Sequence, residues 1–160
     1  MSGCTIEVRE DAGAVVVLLA GRVDERAHLP QLAARINLPL LVLDLEKVDF
    51  INSFGLGDLL ALLRSLRGRV TSLTLRGCSP AVVQQLDLIA GTARNLTVES
   101  LQLPYLCPGC GYEGSPLVTV AEHGEALRRL APPTLLCPEC SAPMTFNDLP
   151  EQYLYYFTHG

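Results

Sequence analysis

Leu43-Asp44-Leu45-Glu46-Lys47-Val48-Asp49-Phe50-Ile51-Asn52-Ser53-Phe54-Gly55-Leu56-Gly57 carries the chain from one kind of structure into another. The stretch begins inside a continuous apolar run, Leu40–Leu45, whose composition predicts a strand buried on both faces. It ends in a helix. From Gly55 to about Arg67 the apolar positions Leu56, Leu59, Leu60, Leu63 and Leu66 fall on one stripe. Arg64, Arg67 and Arg69 crowd the C-terminal end of that helix, where cations suit the dipole. Ser53 stands just ahead of the helix, where free backbone N–H groups favour an anion.

Strand and helix signals alternate on either side. Thr5–Arg9 and Ala14–Ala20 read as a strand pair, with Asp11-Ala12-Gly13 as the turn. After Gly21-Arg22-Val23-Asp24, the residues Leu29, Leu32, Ala33 and Ile36 recur at helical spacing, and Pro30 fits only the first turn. Val70–Leu75 is the next strand. Ser79-Pro80 supplies an N-cap and a first-position proline for a helix reaching about Ile89, and Asn95–Glu99 is a further strand before Pro104. The sum is an α/β domain over residues 1–104.

The residues Leu43-Asp44-Leu45 followed by Val48 through Gly57 resemble the signature of STAS domains, the anti-sigma-factor antagonist family. That pattern is an apolar run, Asp-Ser-Ser/Thr-Gly-Leu, then a Leu-rich helix. Ala20-Gly21-Arg22-Val23-Asp24 and Gly77-Cys78-Ser79-Pro80-Ala81-Val82 extend the resemblance over nearly all of residues 4–103. It implies a mostly parallel or mixed sheet with helices packed on one side, the last family helix being missing or replaced by the C-terminal module.

The resemblance also implies a phosphoacceptor. Ser53 occupies the position that a partner kinase, doubling as an anti-sigma factor, phosphorylates in such antagonists. A phosphate there would add nearly two negative charges and repel an acidic partner. The structural alternative is that Ser53 only caps a helix starting at Gly55, a role worth about 1 kcal/mol. The chain departs from the pattern on both sides of the serine, with Asn52 in place of Asp and Phe54 in place of a small hydroxyl residue. Phe54 is either a hydrophobic anchor for a partner or a core residue. Asp24, at the end of a strand, joins Asn52, Ser53 and Phe54 as a candidate partner-binding residue.

A second module is announced by Cys107-Pro-Gly-Cys110 and Cys137-Pro-Glu-Cys140. Each pair fits a tight turn that brings two thiolates to one tetrahedral ion, and two such knuckles close a Cys4 site with no open position. One structural zinc ion in a ribbon over residues 105–160 is the expectation. Four thiolates beside prolines also suit iron of the rubredoxin kind. Disulfides and thioredoxin-type chemistry are the competitors. The first wants a secretory signal, and Met1-Ser2-Gly3-Cys4 runs straight into a strand-like segment; the second wants a single CxxC at the head of a helix. Gly111 and Ser141 follow the two knuckles where a positive φ is wanted. Cys4 and Cys78 sit in apolar contexts as small core residues. His28, His123 and His159 have no ligand spacing and read as surface residues. Leu117–Val120 resembles a strand and Glu122–Leu130 a short helix. The tail, Asp148 to Phe157, is rich in aromatic residues; it either packs on the first domain or forms a docking surface.

Charge narrows the function. Residues 105–160 carry 2 basic and 6 acidic groups, against 10 and 11 in residues 1–104. A ribbon that bound nucleic acid would need Lys and Arg against phosphate, so none is expected and a protein partner is. No GxxxxGK loop or Ser-His-acid set is visible, and nothing argues for an enzyme. No apolar run is long enough to cross a bilayer, and a cytoplasmic location is expected. Two functions follow. One is a phosphorylation-released switch binding an anti-sigma factor or serine kinase. The other is a constitutive adaptor in a signalling scaffold or lipid-transport complex. The sequence leaves the oligomeric state open.

Overall fold

The computed structural model describes residues 3–159. Its main sheet has the order β1-β2-β3-β4-β5, formed by Cys4–Asp11, Ala14–Val23, Leu40–Ile51, Ser72–Arg76 and Leu96–Val98. β1 and β2 form an antiparallel hairpin through Ala12 and Gly13, both at positive φ. β2, β3, β4 and β5 run parallel, so each crossover must pass over the sheet. The crossovers carry 3-10 turns at Glu25–Ala27 and Leu29–Arg35, then α1 (Ser53–Ser65), then α2 (Pro80–Val83) and α3 (Leu86–Thr92). This is the mixed α/β sheet expected.

Register explains the core. Val17 pairs with Leu43 and Leu43 with Leu75, so these residues project from one face, and all three are buried beneath the crossovers. The expectation that Leu40–Leu45 is buried on both faces is corrected here. β3 alternates: Leu41, Leu43 and Leu45 are buried, whereas Leu40 is 42% exposed and Val42 and Asp44 are only half-buried. Helices cover one face alone, so the strand needs an apolar residue only at every second position.

Two helical expectations also change. Leu29–Arg35 is a 3-10 segment, with Pro30 in its first turn as expected. Its three-residue repeat stacks Leu29 over Leu32, both buried. The helix expected from Pro80 to Ile89 is broken at Gln84 and Gln85. Val82, Val83, Leu86 and Ile89 are nonetheless all buried, on the face that a continuous helix would also present.

Beyond the sheet, β6 (Ser100–Gln102) pairs antiparallel with β9 (Leu117–Thr119). β7 (Tyr105–Leu106) lies between β8 (Glu113–Gly114) and β10 (Thr145–Phe146). α4 (Val120–Arg128), α5 (Pro150–Tyr153) and α6 (Tyr155–His159) complete the chain. Leu101, Leu103, Tyr105, Leu127, Tyr153 and Leu154 belong to the same continuous apolar core as the sheet residues. Two tyrosine hydroxyls lock this region down. Tyr153 donates to the Gln102 carbonyl at 2.6 Å, and Tyr105 donates to the Pro133 carbonyl. The aromatic tail thus packs inward through Tyr153 and Leu154, leaving Tyr155 at 44% exposure.

Candidate functional site

The end of β3 delivers the first site. α1 begins at Ser53 because Asn52, in extended conformation, caps it: Asn52 Oδ1 accepts the Gly55 N–H at 2.8 Å. The alternative in which Ser53 caps a helix starting at Gly55 is corrected by this geometry: the helix starts at Ser53 and Asn52 is its cap. Ser53 is the first helical residue, exposed, and among the described residues its hydroxyl makes no hydrogen bond. Asn rather than Asp at the preceding position can also donate, and Asn52 Nδ2 reaches Glu25 Oε2 at 3.2 Å. A carboxylate there would face Glu25 with like charge.

Gly55 fixes how close the helix comes to the sheet. A Cβ on it would stand 2.1 Å from the Val23 carbonyl oxygen, so only glycine lets the first turn of α1 rest on the end of β2. That contact brings Ser53 and Phe54 beside the loop after β2. There Asp24 is almost wholly buried and accepts from Arg26, through the backbone N–H at 3.0 Å and the guanidinium at 2.8 Å. The Arg26 side-chain bond, opposed by burial and helped by the backbone bond, holds the Asp24 carboxyl below its ordinary range. Asp24 is thus engaged in shaping this loop through Arg26. Phe54 is 69% exposed and lies outside the core. Phe50, 36% exposed, has the Arg22 guanidinium over its ring at 3.9 Å. Arg22, Glu25, Arg26 and Phe50 were not singled out in the sequence. The dense charge in Arg22 to Arg26, across the end of a strand, was the available signal.

The second site is the cysteine cluster. The four Sγ atoms of Cys107, Cys110, Cys137 and Cys140 lie within 4.8 Å of one another. Cys107 and Cys140 are 3.5 Å apart, and Cys110 and Cys137 3.6 Å. A tetrahedron of zinc–sulfur bonds about 2.3 Å long has edges of about 3.8 Å, so the spacing fits a shared ion. The two knuckles repeat one hydrogen-bond pattern. Cys107 N–H donates to the Tyr112 carbonyl and Gly111 N–H to the Cys107 carbonyl, while Cys137 pairs with Ala142 and Ser141 with Cys137 in the same way. Gly111 and Ser141 close the turns at φ 81° and 65°.

Backbone N–H groups also point at sulfur. Glu139 N–H donates to Cys137 Sγ at 3.3 Å. The Cys110 N–H lowers the Cys107 thiol to about 7, aided by Gly109 and by the neighbouring thiols against the effect of burial. Tyr112 and Ala142 direct N–H groups to Cys110 and Cys140, whose thiols nevertheless titrate high among burial and adjacent sulfurs. Donors already aimed at four sulfurs are what a set of metal-bound thiolates requires. Cys78 stands apart from the cluster, fully buried, with its thiol pushed by burial up to about 12. Cys4 is half-buried at the other end of the chain.

Sequence comparison accounts for the first site's surroundings. The family model described as "STAS domain" matches residues 6–98, more than half of the chain. The chain belongs to the STAS domain family. Two solved structures are similar to this STAS protein. One is an anti-sigma factor antagonist from Mycobacterium paratuberculosis, 28% identical, with a TM-score of 0.48, covering 59% of this chain and 86% of the other. The second is the anti-sigma factor antagonist SpoIIAA in its unphosphorylated form, 22% identical, with a TM-score of 0.45, covering 59% and 87%. No curated protein matches the chain. The STAS match ends before the four cysteines. No helix among the described residues is long and apolar enough to cross a membrane.

Proposed function

We propose that this STAS protein is a non-enzymatic regulator that binds a protein partner through the corner formed by the end of β3 and the start of α1. Ser53 is its phosphoacceptor, and the partner is an anti-sigma factor or related serine kinase. The observation that carries this is the division of labour between neighbours: Asn52 caps the helix, which leaves the exposed Ser53 hydroxyl free for chemistry. The Ser53 and Phe54 N–H groups at the helix start would receive part of a phosphate's charge, while Glu25, already bonded to Asn52, would oppose it. Phosphorylation is then expected to charge the surface of the corner and to weaken the Asn52–Glu25 contact without unfolding it.

One zinc ion on Cys107, Cys110, Cys137 and Cys140 would complete a ribbon over residues 105–160, following a STAS unit over residues 1–104. The ribbon is the second interaction surface. Its acidic balance favours protein over nucleic acid, and a cytoplasmic setting suits reduced thiolates.

A pull-down from the native host tests the switch. Wild-type, Ser53→Ala and Ser53→Asp chains would be compared, with bound proteins identified by mass spectrometry. A kinase or anti-sigma factor held by wild type and Ser53→Ala but lost from Ser53→Asp supports it. The same partners on all three chains would leave a constitutive adaptor for a signalling or lipid-transport complex. The exposed rings of Phe54 and Phe50 favour that second function, as apolar anchors suited to a lasting contact.

A further inference from the structure

At the end of the sheet remote from Ser53, the first residues of the parallel strands stand side by side, with Leu41 paired to Leu73 and Leu73 to Leu96. The chain segments that follow α1 and α3 pass over them and leave a cavity of about 300 Å³. Leu41, Leu63, Leu66 and Leu73 line its apolar part, and Arg67 and Arg94 stand with them. The volume falls at the lower end of the range for small-molecule pockets, about 300–1,000 Å³. No acidic residue lines it.

The charge around this cavity is one-sided. Arg67 and Arg94 line it, and three more of the 12 basic residues lie on neighbouring stretches of chain: Arg35 in the last turn of the 3-10 segment, Arg64 in the last turn of α1, and Arg69 two residues beyond Arg67. Among the described residues none of the five has a carboxylate within 4.0 Å. Part of this is structural. Arg67 donates to the Thr92 carbonyl, and Arg69 to those of Ala33 at 3.1 Å and Ile36 at 3.4 Å, tying down the ends of helical segments. Carbonyls satisfy the N–H donors without cancelling the charge. Glu10 and Asp11 share this end of the sheet, but on the β1–β2 hairpin, beyond β2 from a cavity that opens over β3 and β4. In a chain of net charge −5, exposed Arg67 and Arg94, without carboxylate partners and beside a leucine-lined cavity, suit an occupant that is both negative and apolar.

We propose that this cavity binds a single-chain amphipathic anion, its medium-length alkyl chain against the leucines and its carboxylate or phosphate head on Arg94 and Arg67. The apolar lining selects the chain by burial, and guanidinium groups select an oxyanion over a neutral or cationic head. The site lies at the opposite pole from Ser53 and does not depend on the function proposed above.

Calorimetry on the full chain with octanoate and octyl phosphate tests the proposal, with octylammonium as the charge-reversed control and leucine methyl NMR shifts to locate binding. At least one anion is expected to bind and to shift the methyls of Leu41, Leu63 and Leu73, while octylammonium does not. The head group that binds more tightly identifies the source, a free fatty carboxylate or a phosphate ester. Arg94→Glu should weaken binding by about tenfold or more, and Arg94→Lys should retain most of it. No binding by either anion, equal binding of octylammonium, unchanged affinity in a folded Arg94→Glu chain, or shifts confined to other leucines would each overturn it.

Discussion

The corner at Asn52–Phe54 and the cluster of four cysteines are both built on turns, yet they are held by opposite means. The corner is fixed by fit: Gly55 admits the helix against the Val23 carbonyl, Asn52 caps it, and the surrounding core does the rest. The cluster has the core on one side only, with Cys107 and Cys137 buried in it and Cys110 and Cys140 exposed. Its turns are shaped by backbone bonds that converge on sulfur. A corner held by packing can change its surface charge and keep its fold. If the cluster holds the proposed ion, it would lose its geometry with that ion. The first design suits a switch and the second a fixed support.

The sharpest way to break this contrast is to remove the metal. Chelation, or Cys107→Ser, is expected to unfold the knuckles while the five-stranded sheet persists, because structural zinc supplies about 10–16 kcal/mol in small zinc modules. Elemental analysis should give one ion per chain, and amide exchange should show protection lost first in β7, β8 and β10. A metal-free preparation with both knuckles still protected would contradict the zinc assignment. Gly55→Ala comes next. The added methyl meets the Val23 carbonyl, and the helix must shift at a cost of roughly 1–3 kcal/mol, read by urea denaturation. Unchanged stability would show that the corner is not held by that close approach.

Asn52→Ala should cost about 1 kcal/mol through loss of the cap, whereas Ser53→Ala should cost almost nothing, since Ser53 caps nothing. Equal losses in the two variants would return the capping role to Ser53. The smallest effect concerns pH. Asp24 has a depressed pKa, so its contribution to stability is present above the ordinary carboxylate range and is lost as pH falls through the lowered value. Arg26→Ala should therefore be less stable than wild type near neutral pH and converge with it in acid. A constant difference down to low pH would mean that the pair contributes through packing alone.

The two sites were legible to different degrees. Cysteines announce themselves by spacing, and the turns at Gly111 and Ser141 could be placed to the residue. The sheet was legible because β-branched and leucine runs recur at intervals that only strands joined by crossovers satisfy. The corner was harder to read. Serine and asparagine are both common caps, so the sequence offers either Asn52 or Ser53; the choice depends on where the last strand residue ends, and β3 runs on to Ile51. Leu40–Leu45 misled because a continuous apolar run fits a strand covered on both sides. Here its outward members, Leu40 and Val42, stay partly open to solvent. The Asn52–Glu25 bond spans 27 residues of sequence and leaves no local signal.

The Tyr153 hydroxyl on the Gln102 carbonyl has a bearing on how the chain is made. The Gln102 side chain in turn donates to the Glu46 carbonyl, so this one residue links the tail to β3 through its backbone and its side chain. A ribosome delivers Leu101 and Leu103 some fifty residues before Tyr153 and Leu154 arrive to close that part of the core. During translation that part of the core stays open until the tail emerges, and the knuckles, whose last cysteine emerges before Tyr153, would have the chance to take up the proposed ion first. Metal supply during synthesis, rather than afterwards, would then govern how much of this protein reaches its finished form.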